Sequence, residues 1–203
     1  LSRSQTFRNW YEYAKYRAEL LVRRERELPV TVLRLGTLLG PAPAERIPRV
    51  GGPVSALPHL LSGLPLVLDH RGEYPVYATD IGASAEVVEN LLAAPRVDRS
   101  YTYFDPAKPT LAHVLTELCR PSGVTPKLIA GTGFALGVQR ALAGRFGVEP
   151  DVATYARPLF RFDEGILDSL PGGAVESTAD YLAGTGRALR GEYSATSGEG
   201  VLR

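Results

Sequence analysis

The sequence has no methionine, one cysteine, one tryptophan and only three lysines, with arginine preferred elsewhere. A lone Cys119 excludes an internal disulfide. Its apolar helical surroundings mark it as a small buried hydrophobe rather than a nucleophile. A formal charge of +1 over 203 residues leaves no electrostatic case for nucleic acid or an anionic membrane as partner. No stretch approaches the ~18 uninterrupted apolar residues of a membrane helix. No signal peptide is visible at the start, so a cytoplasmic location is expected. His59, His70 and His113 lie far apart without ligand spacing, and no metal is expected. No Gly-x-Ser-x-Gly elbow is present, which removes support for a serine hydrolase. Gly131-Thr132-Gly133 has no following Lys-Ser/Thr and no strong strand leading in, so a P-loop is not expected. What remains is a composition of 44% apolar and 22% charged residues, in the globular range and sufficient for one domain with a core.

The most informative stretch is Tyr11-Glu12-Tyr13-Ala14-Lys15, continued by Tyr16-Arg17-Ala18-Glu19-Leu20. Trp10, Ala14, Ala18, Leu21 and Val22 recur mainly at helical spacing, which predicts one apolar helix face. Tyr11 and Lys15 are four residues apart and share a side of that helix. A neighbouring ammonium favours phenolate over phenol and suits a phenol to acid–base work near neutral pH. An ordinary amphipathic helix with a Tyr and a Lys on its shoulder accounts for the same spacing. The scarcity of lysine makes Lys15 a less routine surface choice. After a charged helix end comes Leu28-Pro29-Val30-Thr31-Val32-Leu33-Arg34-Leu35, a β-branched run that predicts a buried parallel strand. It stops at a glycine-bearing loop, Gly36-Thr37-Leu38-Leu39-Gly40-Pro41. Helix, strand and glycine loop in this order predict a doubly wound α/β sheet, in which ligands sit beyond the carboxyl ends of strands.

The run from Tyr11 to Pro41 resembles the extended short-chain dehydrogenase/reductases, the NAD-dependent epimerase/dehydratase family. The markers are Tyr11 and Lys15 as Tyr-x-x-x-Lys, Ala18-Glu19 in the same helix, and Arg34 through Gly40-Pro41 as Arg-x-x-x-x-x-Gly-Pro. The wording is most similar to the male-sterility or thioester-reductase-like branch. The resemblance is strong over about the first forty residues, moderate to about Cys119, and weak beyond. It implies the C-terminal part of a Rossmann-type sheet plus a mixed α+β substrate lobe. It implies NAD or NADP as cofactor and hydride transfer to or from a carbonyl or thioester substrate, small or carrier-bound. Tyr11 would be the proton donor or acceptor, and Lys15 would hold the nicotinamide ribose. Leu35, Gly36 and Thr37 would line the nicotinamide. A homodimer through helices near the Tyr helix is implied as well. Two other functions remain open: a nucleotide-sugar epimerase or dehydratase, and a non-catalytic nucleotide-binding protein of the same fold.

The family's glycine-rich nucleotide fingerprint belongs upstream of the Tyr helix and is absent here. With the missing methionine, this leads to the expectation that the chain is a C-terminal half. The family's third catalytic residue, a Ser or Thr, stays unassigned because Ser2, Ser4 and Thr6 are too close to Tyr11. Residues 1–41 are expected to complete the dinucleotide-binding domain and residues 42–193 to form mostly the substrate lobe, with some returning sheet elements. Residues 194–203, rich in Ser, Gly and Glu, are expected to be a flexible tail.

In the rest of the chain, Pro41–Val54 is a long loop that is either a plain connector or a substrate loop. Arg46 and Arg49 in it are candidates for an anionic substrate group. A short helix is predicted over Ser55–Ser62 and a strand over Leu64–Leu68. A turn at His70–Glu73 leads to an extended Tyr74–Tyr77. Thr79 or Asp80 is expected to cap a helix over Ile81–Ala93. A strand comes next over Ser100–Phe104, then a helix from Thr110 to about Cys119 with Gly123 past its end. Further helices are predicted over Phe134–Leu142 and Ser177–Arg190, the last with Tyr181, Leu182 and Leu189 facing inward. Gly184-Thr185-Gly186 is read as a bend in it. Tyr155–Phe162 is expected to be extended and Asp163 to cap a short helix over Glu164–Leu170.

Overall fold

Parallel strand pairing organises the chain, seen here in a computed structural model that describes residues 7, 10–25, 27, 29–40, 54, 56–94, 99–131, 133–142, 167 and 170–198. The expectations for residues 155–162 and for the cap at Asp163 lie outside these residues, as do 199–203. The chain opens with α1 (Trp10–Val22), β1 (Val32–Leu35) and β2 (Thr37–Leu39), followed by α2 (Leu57–Leu61) and β3 (Leu66–Leu68). Then come β4 (Ala78–Asp80), α3 (Ile81–Ala93), β5 (Ser100–Tyr103) and α4 (Leu111–Cys119). The last elements are β6 (Leu128–Ala130), α5 (Gly133–Leu142) and α6 (Tyr181–Gly198). No described helix is long and apolar enough to cross a membrane.

β1 pairs with β5, Val32 opposite Ser100 and Leu35 opposite Tyr103. β2 pairs with β4, Thr37 opposite Ala78, and β3 with β6, Leu66 opposite Leu128. All three pairs are parallel, so each needs a crossover rather than a hairpin. The mixed α/β architecture expected from the sequence is the one observed. The glycine loop expected at Gly36–Pro41 is different: Thr37–Leu39 is a strand. Gly36 is where the extended chain leaves one partner for another, its amide donating to the Tyr103 carbonyl while the Thr37 amide donates to that of Tyr77. A Cβ at Gly36 would lie 2.0 Å from the Tyr77 carbonyl oxygen, so only glycine fits the crossing.

α4 shows why its residues form the core. Leu111, Val114, Leu115 and Leu118 recur along one helix face and are all buried. Each such side chain contributes about 1.5–3 kcal/mol on removal from water. Thr110 caps the helix, its Oγ1 accepting from the His113 amide at 3.2 Å. Gly123 at φ 69° turns the chain after it. These residues share a cluster with Leu57 and Leu60 of α2, Leu66 and Leu68 of β3, and Tyr181, Leu182 and Leu189 of α6. A second cluster joins Ala83 and Val87 of α3 to Tyr101 and Tyr103 of β5. Cys119 is fully buried, and that burial pushes its thiol up to about 11, in keeping with a packing role.

The strand β6, which the sequence did not reveal, leads into Gly131. A Cβ there would meet Val67 Cγ1 at 2.0 Å, so this glycine serves close packing. Gln139 of α5 reaches the free edge of β3, where Oε1 accepts from the Val67 amide at 2.7 Å. Its Nε2 donates to the Val67 carbonyl at 2.9 Å. One side-chain amide thus replaces a strand partner and protects the edge.

The last helix runs past its expected end at Arg190 and continues to Gly198. No proline interrupts the sequence there, and the helix is anchored in its first turns. Gly184–Gly186 is not a bend but a packing point. A Cβ at Gly186 would lie 2.3 Å from the Leu118 carbonyl oxygen, where α6 crosses α4.

Candidate active site

Tyr11 and Lys15 share one side of α1, as their spacing requires, with Lys15 Nζ 5.5 Å from the Tyr11 ring centroid. Both are exposed, Tyr11 to 65%. The apolar face expected from Trp10, Ala14, Ala18, Leu21 and Val22 does not pack inward. All five residues are exposed, Trp10 to 82%. The half-buried side is instead Glu12, Tyr13, Tyr16, Glu19 and Leu20. Periodicity located a face but not its partner. The inward side is selected by an ion pair and aromatic contacts rather than by aliphatic burial. Phe7 packs on Tyr13 and Tyr16 at centroid distances of 5.5 and 5.0 Å.

Glu19 is the polar anchor of that side. Its two carboxylate oxygens accept from Arg34 of β1, Oε1 from Nη2 at 2.6 Å and Oε2 from Nε at 3.0 Å. Arg23 Nε also donates to Oε1 at 2.8 Å, and Arg23 Nη2 donates to Ser100 Oγ of β5. Hydrogen bonds from Arg34, opposed by partial burial and aided by Arg23, hold the Glu19 carboxyl below its ordinary value. The sequence displayed Glu19 and Arg34 as family markers but assigned them no task.

These contacts set the height of α1 against the sheet. Arg23 reaches Ser100, which is level with Val32, and Glu19 reaches Arg34. Four helical residues rise about 6 Å and two strand residues about 6.6 Å, so α1 runs antiparallel to β1 in matching steps. Leu35, Thr37 and Leu38, at and just past the carboxyl end of β1, are exposed, and Gly36 is half-buried. Of the predicted residues, Tyr11 and Lys15 share one side of α1, and Leu35, Gly36 and Thr37 follow one another where β1 gives way to β2. Arg46 and Arg49 lie outside the described residues, as do Ser2, Ser4 and Thr6.

A buried polar network includes the expected cap at Asp80 and long-range bonds that sequence reasoning missed. Asp80 caps α3, its Oδ1 accepting from the Gly82 amide at 3.0 Å and its Oδ2 from the Thr178 amide at 2.8 Å. Asp105, just past β5, accepts from the Tyr181 hydroxyl at 2.8 Å and the Ala107 amide at 2.9 Å. The Gly40 amide donates to Thr185 Oγ1 at 2.6 Å, which in turn donates to the Tyr181 carbonyl. Burial, and then the Asp105 carboxylate, raise the Tyr181 phenol above its ordinary range, which keeps it a fixed donor. Tyr103 is raised too, chiefly by burial, and its hydroxyl donates to the Val175 carbonyl at 2.8 Å. Both phenols tie the 175–185 segment to the carboxyl ends of the strands. Their partners lie 72 to 76 positions away in sequence, beyond the reach of any local motif. Among the described residues, no cluster of His, Cys, Asp and Glu has the makings of a metal site.

No protein-family model matches the chain, and no curated protein matches it in sequence. Solved structures do match in fold. One is the epimerase Mth375 from Methanothermobacter thermautotrophicus, with a TM-score of 0.64 at 11% identity, covering 97% of this chain and 54% of that one. WbmF of Bordetella bronchiseptica, in complex with NAD+ and UDP, gives 0.63 at 13% identity over 98% of this chain and 57% of its own. The UDP-glucose 4-epimerase of Thermotoga maritima, with UDP-glucose, gives 0.57 at 16% identity over 90% and 54%. The chain thus spans a little more than half the length of these proteins. At such identities the likeness establishes the architecture: a Rossmann-type α/β fold with parallel strands, shared with these three structures.

Proposed function

We propose that this chain is the substrate-side part of an NAD(P)-dependent enzyme of the extended short-chain dehydrogenase/reductase type. The observation that supports the reading is the stacking of Tyr11 and Lys15 on one side of α1, Lys15 Nζ lying 5.5 Å from the Tyr11 ring centroid. NAD or NADP would supply or take up the hydride. The residues present suit its nicotinamide end: the Lys15 ammonium is a donor for the ribose, and Leu35, Gly36 and Thr37 offer an exposed, partly apolar shelf. Tyr11 gives a proton to the substrate oxygen in the reducing direction and takes one in the other. In this reading residues 1–41 complete the dinucleotide-binding domain, and residues 42–193 form mostly the substrate lobe. Arg46 and Arg49 hold an anionic group of a small or carrier-bound substrate. The exposed stripe of Trp10, Ala14, Ala18, Leu21 and Val22 is the dimer face.

The substrate has two readings. The wording of the Tyr11–Pro41 run supports reduction of a carbonyl or thioester. The epimerase structures that share the fold, one of them holding UDP-glucose, support a nucleotide-sugar epimerase or dehydratase. An epimerase regenerates its cofactor in each turnover, so cofactor that survives purification favours it, whereas a reductase releases the oxidised form. The deciding experiment for the shared chemistry is Tyr11→Phe in the full-length protein, assayed with NADH or NADPH on aldehydes and thioesters and with NAD+ on nucleotide-sugars. Turnover is expected to fall by roughly 10²–10⁴-fold, the usual worth of a positioned acid or base. Turnover near that of the parent refutes the role.

A further inference from the structure

We propose that Glu19 is a positioning residue: by gripping Arg34 with both carboxylate oxygens it fixes the tilt of α1, and with it the places of Tyr11 and Lys15. The proposal rests on the reading of those two residues given above. α1 has no buried residue, so apolar packing holds it weakly. An isolated helix of 13 residues is marginal in water, so α1 depends on its ties to the sheet. The Arg23–Glu19 pair joins residues four apart on the same helix, and Arg23 adds a single bond to Ser100 of β5. The Arg34–Glu19 pair spans 15 residues and joins helix to strand. Its two-pronged geometry fixes direction as well as distance. The Glu19 side chain is 13% exposed and that of Arg34 37%, so solvent screens the pair from the arginine side only.

The lever is long. Tyr11 stands eight residues, or about 12 Å, from Glu19 along the helix axis, so a tilt of about 10° shifts it by roughly 2 Å. Lys15 is half as far and shifts by roughly 1 Å. Positioned catalytic groups tolerate about 0.5 Å. A lysine at position 34 keeps the charge but loses the fork, which separates attraction from orientation.

The test uses the full-length protein with Glu19→Gln, Arg34→Lys and the double swap Glu19→Arg/Arg34→Glu. Hydrogen exchange of peptides from residues 10–22 reports the anchoring of α1, and NADH titration reports its effect on Lys15. Both single variants are expected to speed exchange in α1 severalfold while α4 and α6 keep their protection. NADH affinity is expected to fall about tenfold in Glu19→Gln and to recover in the swap. If Glu19→Gln loosens every element, Arg34→Lys decides the matter alone. Exchange in α1 unchanged in the single variants overturns the proposal. So does a loosened α1 with parental NADH affinity, provided Lys15→Ala weakens NADH binding. If Lys15→Ala leaves NADH binding unchanged, the cofactor reading of Lys15 fails, and the positioning of α1 is judged on exchange.

Discussion

Two glycines, both inside helices, are expected to respond to the same substitution with opposite signs. In Gly186→Ala the new methyl would lie 2.3 Å from the Leu118 carbonyl oxygen and 3.0 Å from its carbon. Both atoms belong to the backbone of α4, so no rotamer change relieves the contact. An ordinary C···O contact needs about 3.3–3.6 Å, which requires α6 and α4 to part by about an ångström. Overpacking of this kind costs typically about 1–3 kcal/mol, sometimes more. Alanine returns about 1 kcal/mol of helix propensity. The net expectation for Gly186→Ala is a loss of up to about 2 kcal/mol. At this chain length that lowers the melting temperature by up to roughly 8 °C. Gly137 in α5 is the control, because a Cβ there meets nothing within 4 Å. Gly137→Ala is therefore expected to raise stability by about 0.5–1 kcal/mol. Urea unfolding of both variants beside the parent decides the matter. Stabilisation by Gly186→Ala similar to that by Gly137→Ala would refute the close approach of α4 and α6.

Tyr181→Phe removes a hydroxyl donor from a buried carboxylate and is expected to cost about 1.5–3 kcal/mol in urea unfolding. A loss under about 0.5 kcal/mol would contradict a structural Asp105–Tyr181 bond. Gln139→Ala takes two hydrogen bonds from the β3 edge and is expected to cost about 1–3 kcal/mol and to promote aggregation, seen by light scattering at raised protein concentration. An unchanged midpoint and unchanged scattering would refute that role. Because the Glu19 carboxyl is held below its ordinary value of 4.5, its contribution is full above that pH and fades as pH falls through the folded-state value. The stability gap between parent and Glu19→Gln, about 1 kcal/mol or less at neutral pH, is expected to shrink in acid. A gap that widens there would mean that folding raises the Glu19 carboxyl instead of lowering it.

Local chemistry made much of this fold legible. Thr110 and Asp80 cap helices where short polar side chains precede apolar periodicity. The inward side of α6 follows from Tyr181, Leu182 and Leu189. Long-range chemistry did not show itself. The helix face at Trp10, Ala14 and Ala18 looks like a core face, yet the face that packs is chosen by Arg34, fifteen residues beyond Glu19. Thr37–Leu39 reads as a loop because a strand so short is defined by its partner, Ala78–Asp80, rather than by its own composition. β6 was hidden for the same reason. The Tyr11 and Lys15 pair was visible because it is local to one helix. The Asp105–Tyr181 and Gly40–Thr185 bonds were not, because each closes a loop of many tens of residues.

The three parallel pairings also fix an order of events during synthesis. Among the described strands, Thr37–Leu39 meets its partner Ala78–Asp80 only after the intervening residues have emerged from the ribosome, and Val32–Leu35 meets Ser100–Tyr103 later still. Leu66–Leu68 waits in turn for Leu128–Ala130. Thr185 comes after all of these strands and closes on the Gly40 amide. Each of these pairings therefore forms only after tens of further residues are translated. Non-local parallel pairing of this kind folds slowly and exposes strand edges to other chains in the interval.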